Sequence, residues 1–156
     1  MSEIQTDHPA INRNIHPPIL ALIFIGLAIL LGWLLPLPLP PFVEWIGLGL
    51  IFVGVVLAFG AFNEFRKVHT TLDPHGSVKS LVTQGIYQFT RNPIYLGFLL
   101  MVIGFPLNSG SYSGLVVAPF FMVTMNRLVI EKEEAYLEKK FGEMYTGYRS
   151  RVRRWF

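Results

Sequence analysis

The segment from residue 85 to residue 97, GIYQFTRNPIYLG, places a guanidinium group and two phenols where a polar loop enters an apolar helix. These three residues are Tyr87, Arg91 and Tyr95. Asn92 can cap the helix and Pro93 can occupy its first turn, so the start of the helix is well specified. An arginine at such a boundary indicates a site that meets an anionic group.

A second segment, residues 127–141, places a carboxylate in an apolar stripe. If it is helical, spacings of three, four, three and four residues bring five side chains to one face: Arg127, Ile130, Glu134, Leu137 and Phe141. Burying an unpaired charge is costly. We therefore expect Glu134 to pair with Arg127, with Arg91 or with a ligand.

Two further acidic residues flank Glu134. Glu133 lies about 100° around the same helix and could share the site or face water. Glu131 follows Arg127 by four residues, which predicts an ordinary surface pair. For Glu133 and Glu134, a structural ion pair is the alternative to a functional role.

The elements that must position these residues are membrane helices. Of the 156 residues, 52% are hydrophobic, and the charges are concentrated in a few blocks. The pattern predicts an all-α polytopic integral membrane protein with a single domain over residues 1–156, a cytoplasmic loop and a C-terminal amphipathic helix. The predicted spans are residues 17–35, 42–62, 93–107 and 113–130. The last two form a short helical hairpin, with a buried re-entrant hairpin as the alternative.

Two details concern the first two spans. The first follows a polar lead and lacks a small-residue cleavage site after it, so we expect it to be retained. Gly47 and Gly49 lie inside the second span, where they favour helix packing instead of a nucleotide-binding turn.

Basic residues predict the orientation. All 13 Lys and Arg residues lie on one predicted side, whereas residues 36–41 and 108–113 contain none. The positive-inside bias therefore places both termini and the middle loop in the cytoplasm. The net charge of +3 then describes a face suited to anionic headgroups, not to nucleic acid.

Cysteine and histidine usage limits the possible chemistry. The chain has no cysteine, which excludes disulfides, thiolate catalysis and cysteine-bound zinc. His69, Asp73 and His75 flank a proline and a glycine without standard ligand spacing, so we predict no metal site.

Residues 85–97 and residues 131–148, taken together, resemble the isoprenylcysteine carboxyl methyltransferase and phospholipid methyltransferase superfamily of small membrane enzymes. The resemblance covers residues 70–155. It includes a Thr-containing, Pro-terminated loop formed by Thr70, Thr71 and Pro74, and the approach Leu81-Val82-x-x-Gly85-x-Tyr87. Asn92 stands where the eukaryotic isoprenylcysteine enzymes usually have histidine, as it does in many bacterial relatives. The resemblance therefore implies a bacterial inner-membrane protein.

The resemblance implies that S-adenosylmethionine is enclosed by residues 70–97 and 127–149, while a lipid-like or prenylated acceptor enters from the membrane. Aromatic rings suit the adenine of the cofactor, carboxylates suit its ribose, ammonium or sulfonium, and an arginine suits its carboxylate. The candidate cofactor-binding residues are Tyr87, Arg91, Asn92, Pro93, Tyr95, Gly97, Glu133 and Glu134. The candidate catalytic residues are Arg91, Arg127 and Glu134.

The sequence leaves the acceptor and the oligomeric state open. A prenylcysteine carboxylate would need orientation by Arg91 or Arg127, whereas a phospholipid amine would need a base such as Glu134 or a tyrosine. A small thiol is a third acceptor class.

Two other classes of protein remain as alternatives to a methyltransferase: a sterol-reductase-like oxidoreductase and a non-enzymatic four-helix membrane protein. The basic tail, residues 149–155, is interpreted as an interfacial anchor, or else as part of the acceptor entrance.

Overall fold

The computed structural model describes residues 16–37, 39–67 and 80–156, without the side chain of residue 65. Its helices are α1 (Pro17–Leu34), α2 (Phe42–Lys67), α3 (Pro93–Asn108), α4 (Ser113–Met125), α5 (Glu131–Phe141) and α6 (Glu143–Arg151). A 3-10 turn occupies Gly85–Gln88, and a π-helical turn occupies Asn126–Ile130. The predicted all-α membrane fold is confirmed. The expectations for Thr70, Thr71, Pro74, His69, Asp73 and His75 lie outside the described residues.

Within these residues, three helices are long and apolar enough to cross a membrane: Pro17–Leu34, Phe42–Glu64 and the continuous helix Ser113–Phe141. The α3 helix has 16 residues. At 1.5 Å per residue it is about 24 Å long, shorter than a hydrocarbon core of about 30 Å. Large apolar side chains such as Trp33, Trp45, Phe52 and Phe59 are exposed on α1 and α2. These faces suit contact with lipid.

The α3 helix lies at the centre of the bundle, where it packs against α1, α2 and α4. Its contact with α2 is made through glycines. A Cβ atom at Gly97 would lie 2.6 Å from the carbonyl oxygen of Gly54, and a Cβ at Gly47 would lie 2.6 Å from that of Gly104. The packing role expected for Gly47 is thus confirmed, whereas Gly49 has no atom within 4 Å of its Cβ position. The close approach fixes α3, whose first turn carries the candidate site.

The C-terminal segment differs from the single amphipathic helix expected from the sequence. The helix stops at Gly142, which has φ 54° and ψ −127°, and α6 then begins. This left-handed φ is favourable for glycine and breaks the helix. The break lets the chain continue to residues 152–156, which lie beside Thr90 through an isolated parallel β-bridge to Arg153.

Candidate active site

An ion cluster, buried at Glu134 and Arg91 and partly exposed at Arg154, joins the start of α3, the α5 helix and the C-terminal segment. Glu134 accepts hydrogen bonds at Oε1 from Nε of Arg154 (3.1 Å) and at Oε2 from Nη2 of Arg154 (2.5 Å). Nη2 of Arg91 lies 3.2 Å from Oε1 of the same carboxylate. The side chains of Glu134 and Arg91 are only 8% and 10% exposed. The expected pairing of Glu134 with Arg91 is confirmed, and Arg154 is an additional partner.

Arg127 does not join this cluster, so the prediction that it shares a face with Glu134 is wrong. The π-helical turn Asn126–Ile130 adds a residue to the local repeat and rotates Arg127 away from the apolar stripe. Its side chain is 74% exposed, and its Nη1 lies 3.5 Å from a carboxylate oxygen of Glu131. The expected surface pair of Arg127 with Glu131 is confirmed.

A second contact links α3 to α5 beside the ion cluster. The Tyr95 hydroxyl donates a hydrogen bond of 2.6 Å to Oε1 of Glu133. Glu133 therefore engages α3, although it lies about 100° around α5 from Glu134. Arg91 and Tyr95 bind adjacent acidic residues, and the two contacts hold the start of α3 against the first turn of α5.

Three buried tyrosines, Tyr87, Tyr145 and Tyr148, lie near the charged residues of the site. Gly85, with φ 59°, begins the 3-10 turn that carries Tyr87. The Tyr148 hydroxyl donates a hydrogen bond of 2.7 Å to the backbone oxygen of Tyr87. Burial raises the pKa of the Tyr87, Tyr145 and Tyr148 phenols. All three phenols are therefore neutral at neutral pH, and the Tyr148 phenol is a hydrogen-bond donor.

Asn92, Pro93 and Gly97 have structural contacts of their own. Pro93 occupies the first turn of α3, as predicted. The expected capping by Asn92 is wrong, because its side chain makes no cap hydrogen bond and its Nδ2 instead donates to the backbone oxygen of Arg154 at 2.9 Å. Gly97 is buried at the contact with Gly54, so close helix packing accounts for its lack of a side chain.

The C-terminal segment packs into the site, which differs from the interfacial anchor that the sequence indicated. Its alternative role, as part of the acceptor entrance, stays a prediction. The backbone nitrogen of Arg91 donates to the backbone oxygen of Arg153 at 2.9 Å. The Thr90 hydroxyl donates to the backbone oxygen of Arg154 at 3.2 Å. Trp155 is 7% exposed, and its indole Nε1 donates to Oδ1 of Asn126 at 3.1 Å. Sequence reasoning missed Arg154 and Trp155 as site residues because their partners are distant along the chain.

Replacing Trp155 with alanine should lower the free energy of unfolding by about 3–5 kcal/mol, because it removes a buried indole and leaves a cavity. Trp155→Phe should cost less, since it keeps most of the apolar volume and loses one hydrogen bond, worth about 1 kcal/mol. Denaturant unfolding in detergent micelles measures both values. The exposed neighbour Phe156 offers the control Phe156→Ala, for which we expect little change. Equal losses for Trp155→Ala and Phe156→Ala would contradict the packing of the tail.

Arg91 retains hydrogen-bonding capacity that the described residues do not use. Its Nε and Nη1 atoms are buried and have no hydrogen-bond partner among those residues. Buried donors of this kind are normally satisfied, and guanidinium nitrogens bind carboxylates and other anions well. The cluster also contains two cationic side chains and one carboxylate. Its composition and its free donors both suit an anionic ligand group.

Comparison with known proteins places this chain in a family. Residues 42–144 match a family model described as phospholipid methyltransferase. The chain is 31% identical over 124 residues to a probable protein-S-isoprenylcysteine O-methyltransferase of Oryza sativa subsp. indica, an alignment that covers 71% of this chain and 59% of that protein. It is 35% identical over 72 residues to the protein-S-isoprenylcysteine O-methyltransferase of Schizosaccharomyces pombe, covering 46% of this chain and 30% of that protein.

A third relative is an uncharacterized protein of Haemophilus influenzae, 38% identical over 65 residues, which covers 40% of this chain and 98% of that protein. The chain thus spans less than two thirds of the length of the rice and yeast methyltransferases. No solved structure matches. The match to the family model covers more than half of the chain and includes Arg91, Tyr95, Glu133 and Glu134. The protein therefore belongs to the phospholipid methyltransferase family.

Proposed function

We propose that this protein transfers the methyl group of S-adenosylmethionine to a hydrophobic or amphipathic acceptor at the cytoplasmic boundary of the membrane. The observation that carries the proposal is the ion cluster of Arg91, Glu134 and Arg154, in which the buried Arg91 keeps two donors without a partner among the described residues. The cluster lies next to apolar membrane helices in a chain of a methyltransferase family.

The chemistry of the available side chains fits this cofactor. The Nε and Nη1 atoms of Arg91 would bind its carboxylate. Glu133 has one oxygen bonded to Tyr95 and a second that can accept from the ammonium group. Tyr87 and Tyr95 provide rings suited to the adenine. When bound, the cofactor supplies a methyl group on a positively charged sulfonium, which is already a good leaving group.

The residues of the chain then act chiefly by binding and orientation. Both Glu134 oxygens are engaged by guanidinium groups, so Glu134 holds Arg91 in place and is poorly available as a base. Alignment of acceptor and methyl group can supply much of the rate, provided that the reacting atoms are held close and in line. The buried tyrosines and Trp155 limit the access of water to the site.

For the acceptor, we propose a prenylcysteine carboxylate, because the rice and yeast relatives are named for that substrate. This acceptor is ionised at neutral pH and needs no base. The family model is described by phospholipid methylation, which makes a phospholipid amine the second candidate. An amine must lose a proton during transfer, and Glu133, whose second oxygen is not used by Tyr95, would then be the candidate base.

Calorimetric titration of S-adenosylhomocysteine into the detergent-purified protein tests the cofactor assignment. The wild type should bind, and Arg91→Ala, checked to be folded, should lose at least tenfold in affinity because a charge-assisted contact is removed. Arg149→Ala is the matched control, since Arg149 forms an exposed ion pair with Glu138. Arg127→Ala should also bind normally, because Arg127 is exposed and paired with Glu131.

Failure of the folded wild type to bind, both in detergent and in lipid nanodiscs, would contradict the proposal and favour a non-enzymatic membrane protein. If binding is found, methyl transfer to an S-prenylated cysteine and to a phosphatidylethanolamine can be compared with the same preparation. Transfer to the lipid alone would replace the prenylcysteine assignment with the second candidate.

A further inference from the structure

Two arginines share the Glu134 carboxylate unequally. Arg154 binds both oxygens, through Nε to Oε1 and through Nη2 to Oε2. Arg91 contributes only Nη2, which lies 3.2 Å from Oε1. The guanidinium of Arg154 thus makes the bidentate contact that arginine and carboxylate groups prefer, and Arg91 takes the remaining position. This division leaves Nε and Nη1 of Arg91 unpartnered among the described residues.

Hydrogen bonds to the backbone of Arg154 also hold this residue in position. Its carbonyl oxygen accepts from the Thr90 hydroxyl at 3.2 Å and from Nδ2 of Asn92 at 2.9 Å. These donors are the two residues on either side of Arg91 in the sequence. The neighbouring Trp155 is fixed by its buried indole. The segment that carries Arg154 is therefore bonded directly to the segment that carries Arg91.

Loss of Arg154 would change what Arg91 can do. With Glu134 no longer occupied by Arg154, Arg91 could turn to take both carboxylate oxygens, since a bidentate pair is favoured over a single contact. The cluster would change from two cations and one anion to one of each. Arg91 would then have fewer free donors, and one of the two guanidinium charges that attract an anion would be gone.

We propose that Arg154 is a positioning residue that occupies Glu134 so that two guanidinium nitrogens of Arg91 remain free to bind the carboxylate of the cofactor. This inference rests on the proposed function. It assigns the C-terminal segment a role in ligand recognition, although Arg154 itself reaches no ligand in this scheme. It also separates the two arginines by task, since Arg91 binds the ligand and Arg154 sets its orientation.

The test compares two ligands, S-adenosylhomocysteine and 5′-methylthioadenosine, of which the second lacks the amino-acid carboxylate and ammonium. Arg154→Met should lower the affinity for S-adenosylhomocysteine at least tenfold, the expected effect of losing a charge-assisted contact. It should change the affinity for 5′-methylthioadenosine less than twofold. Arg151→Met is the matched control, because Arg151 is exposed and donates to the backbone oxygen of Gly147 within α6. It should bind both ligands as the wild type does.

The double variant E134Q/R154M distinguishes positioning from a merely structural role. It removes the anion that would capture Arg91 and restores the excess of one positive charge, so it should recover most of the S-adenosylhomocysteine affinity lost by Arg154→Met. The role of Arg154 would be overturned if Arg154→Met lost affinity equally for both ligands. It would also be overturned if the folded double variant recovered no affinity for S-adenosylhomocysteine. Normal binding by Arg154→Met while Arg91→Ala loses binding would overturn it as well. A wild type that binds neither ligand would instead overturn the proposed function.

Discussion

Replacing Glu134 with alanine should lower the free energy of unfolding by about 3–5 kcal/mol, the usual cost of removing one partner from a buried ion pair. Glu134 is the only carboxylate in contact with Arg91 and Arg154 among the described residues. Without it, two like charges would face each other in a site where Arg91 is 10% exposed. Denaturant unfolding of the purified protein in detergent, followed by circular dichroism, measures the change.

The chain offers two controls for this prediction. Glu131 pairs with Arg127, and Glu138 pairs with Arg149, in both cases at exposed positions. Alanine at either glutamate should change stability by about 0–1 kcal/mol, because exposed ion pairs contribute little. If Glu134→Ala falls in the same range, the buried cluster does not stabilise the fold as the geometry indicates.

The membrane helices and the pairing of Arg91 with Glu134 follow from local properties of the sequence. Long uncharged stretches predict α1 and α2 directly, since such stretches are stable as helices in lipid. A carboxylate within the apolar stripe of α5 needs a cationic partner, and Arg91 is one of the few available. These predictions require only hydropathy, helical periodicity and the cost of an unpaired charge.

The rest of the site depends on two interruptions that periodicity does not reveal. The π-helical turn before α5 moves Arg127 off the stripe that ideal spacing predicts. The break at Gly142 then redirects the chain, so that Arg154 reaches Glu134 from 20 residues away. A bulky aromatic such as Trp155 within a basic tail is the one signal in the sequence that could have indicated a packed segment, but it is equally typical of an interfacial anchor.

Gly97→Ala should destabilise the protein by about 1–3 kcal/mol, the usual cost of forcing an extra methyl group into a packed contact. The new Cβ would lie 2.6 Å from the carbonyl oxygen of Gly54, and neither helix backbone can yield without separating α2 from α3. Because Arg91 immediately precedes α3 and Tyr95 lies in its first turn, we also expect weaker binding of S-adenosylhomocysteine. Unfolding and calorimetric titration of the same preparation give both values.

A substitution at Gly54, which packs against Gly97, distinguishes helix packing from ligand contact as the role of Gly97. A Cβ at Gly54 would lie 2.7 Å from the carbonyl oxygen of Gly97, so Gly54→Ala should be destabilising by a similar amount if helix packing is the reason. Gly49→Ala, in the same helix as Gly54, has no atom within 4 Å of its Cβ and should be neutral or slightly stabilising, because alanine is the better helix former. A different result is expected if Gly97 contacts the ligand directly, as the family resemblance implies. Gly97→Ala would then weaken binding of S-adenosylhomocysteine without lowering the free energy of unfolding, and Gly54→Ala would change neither quantity.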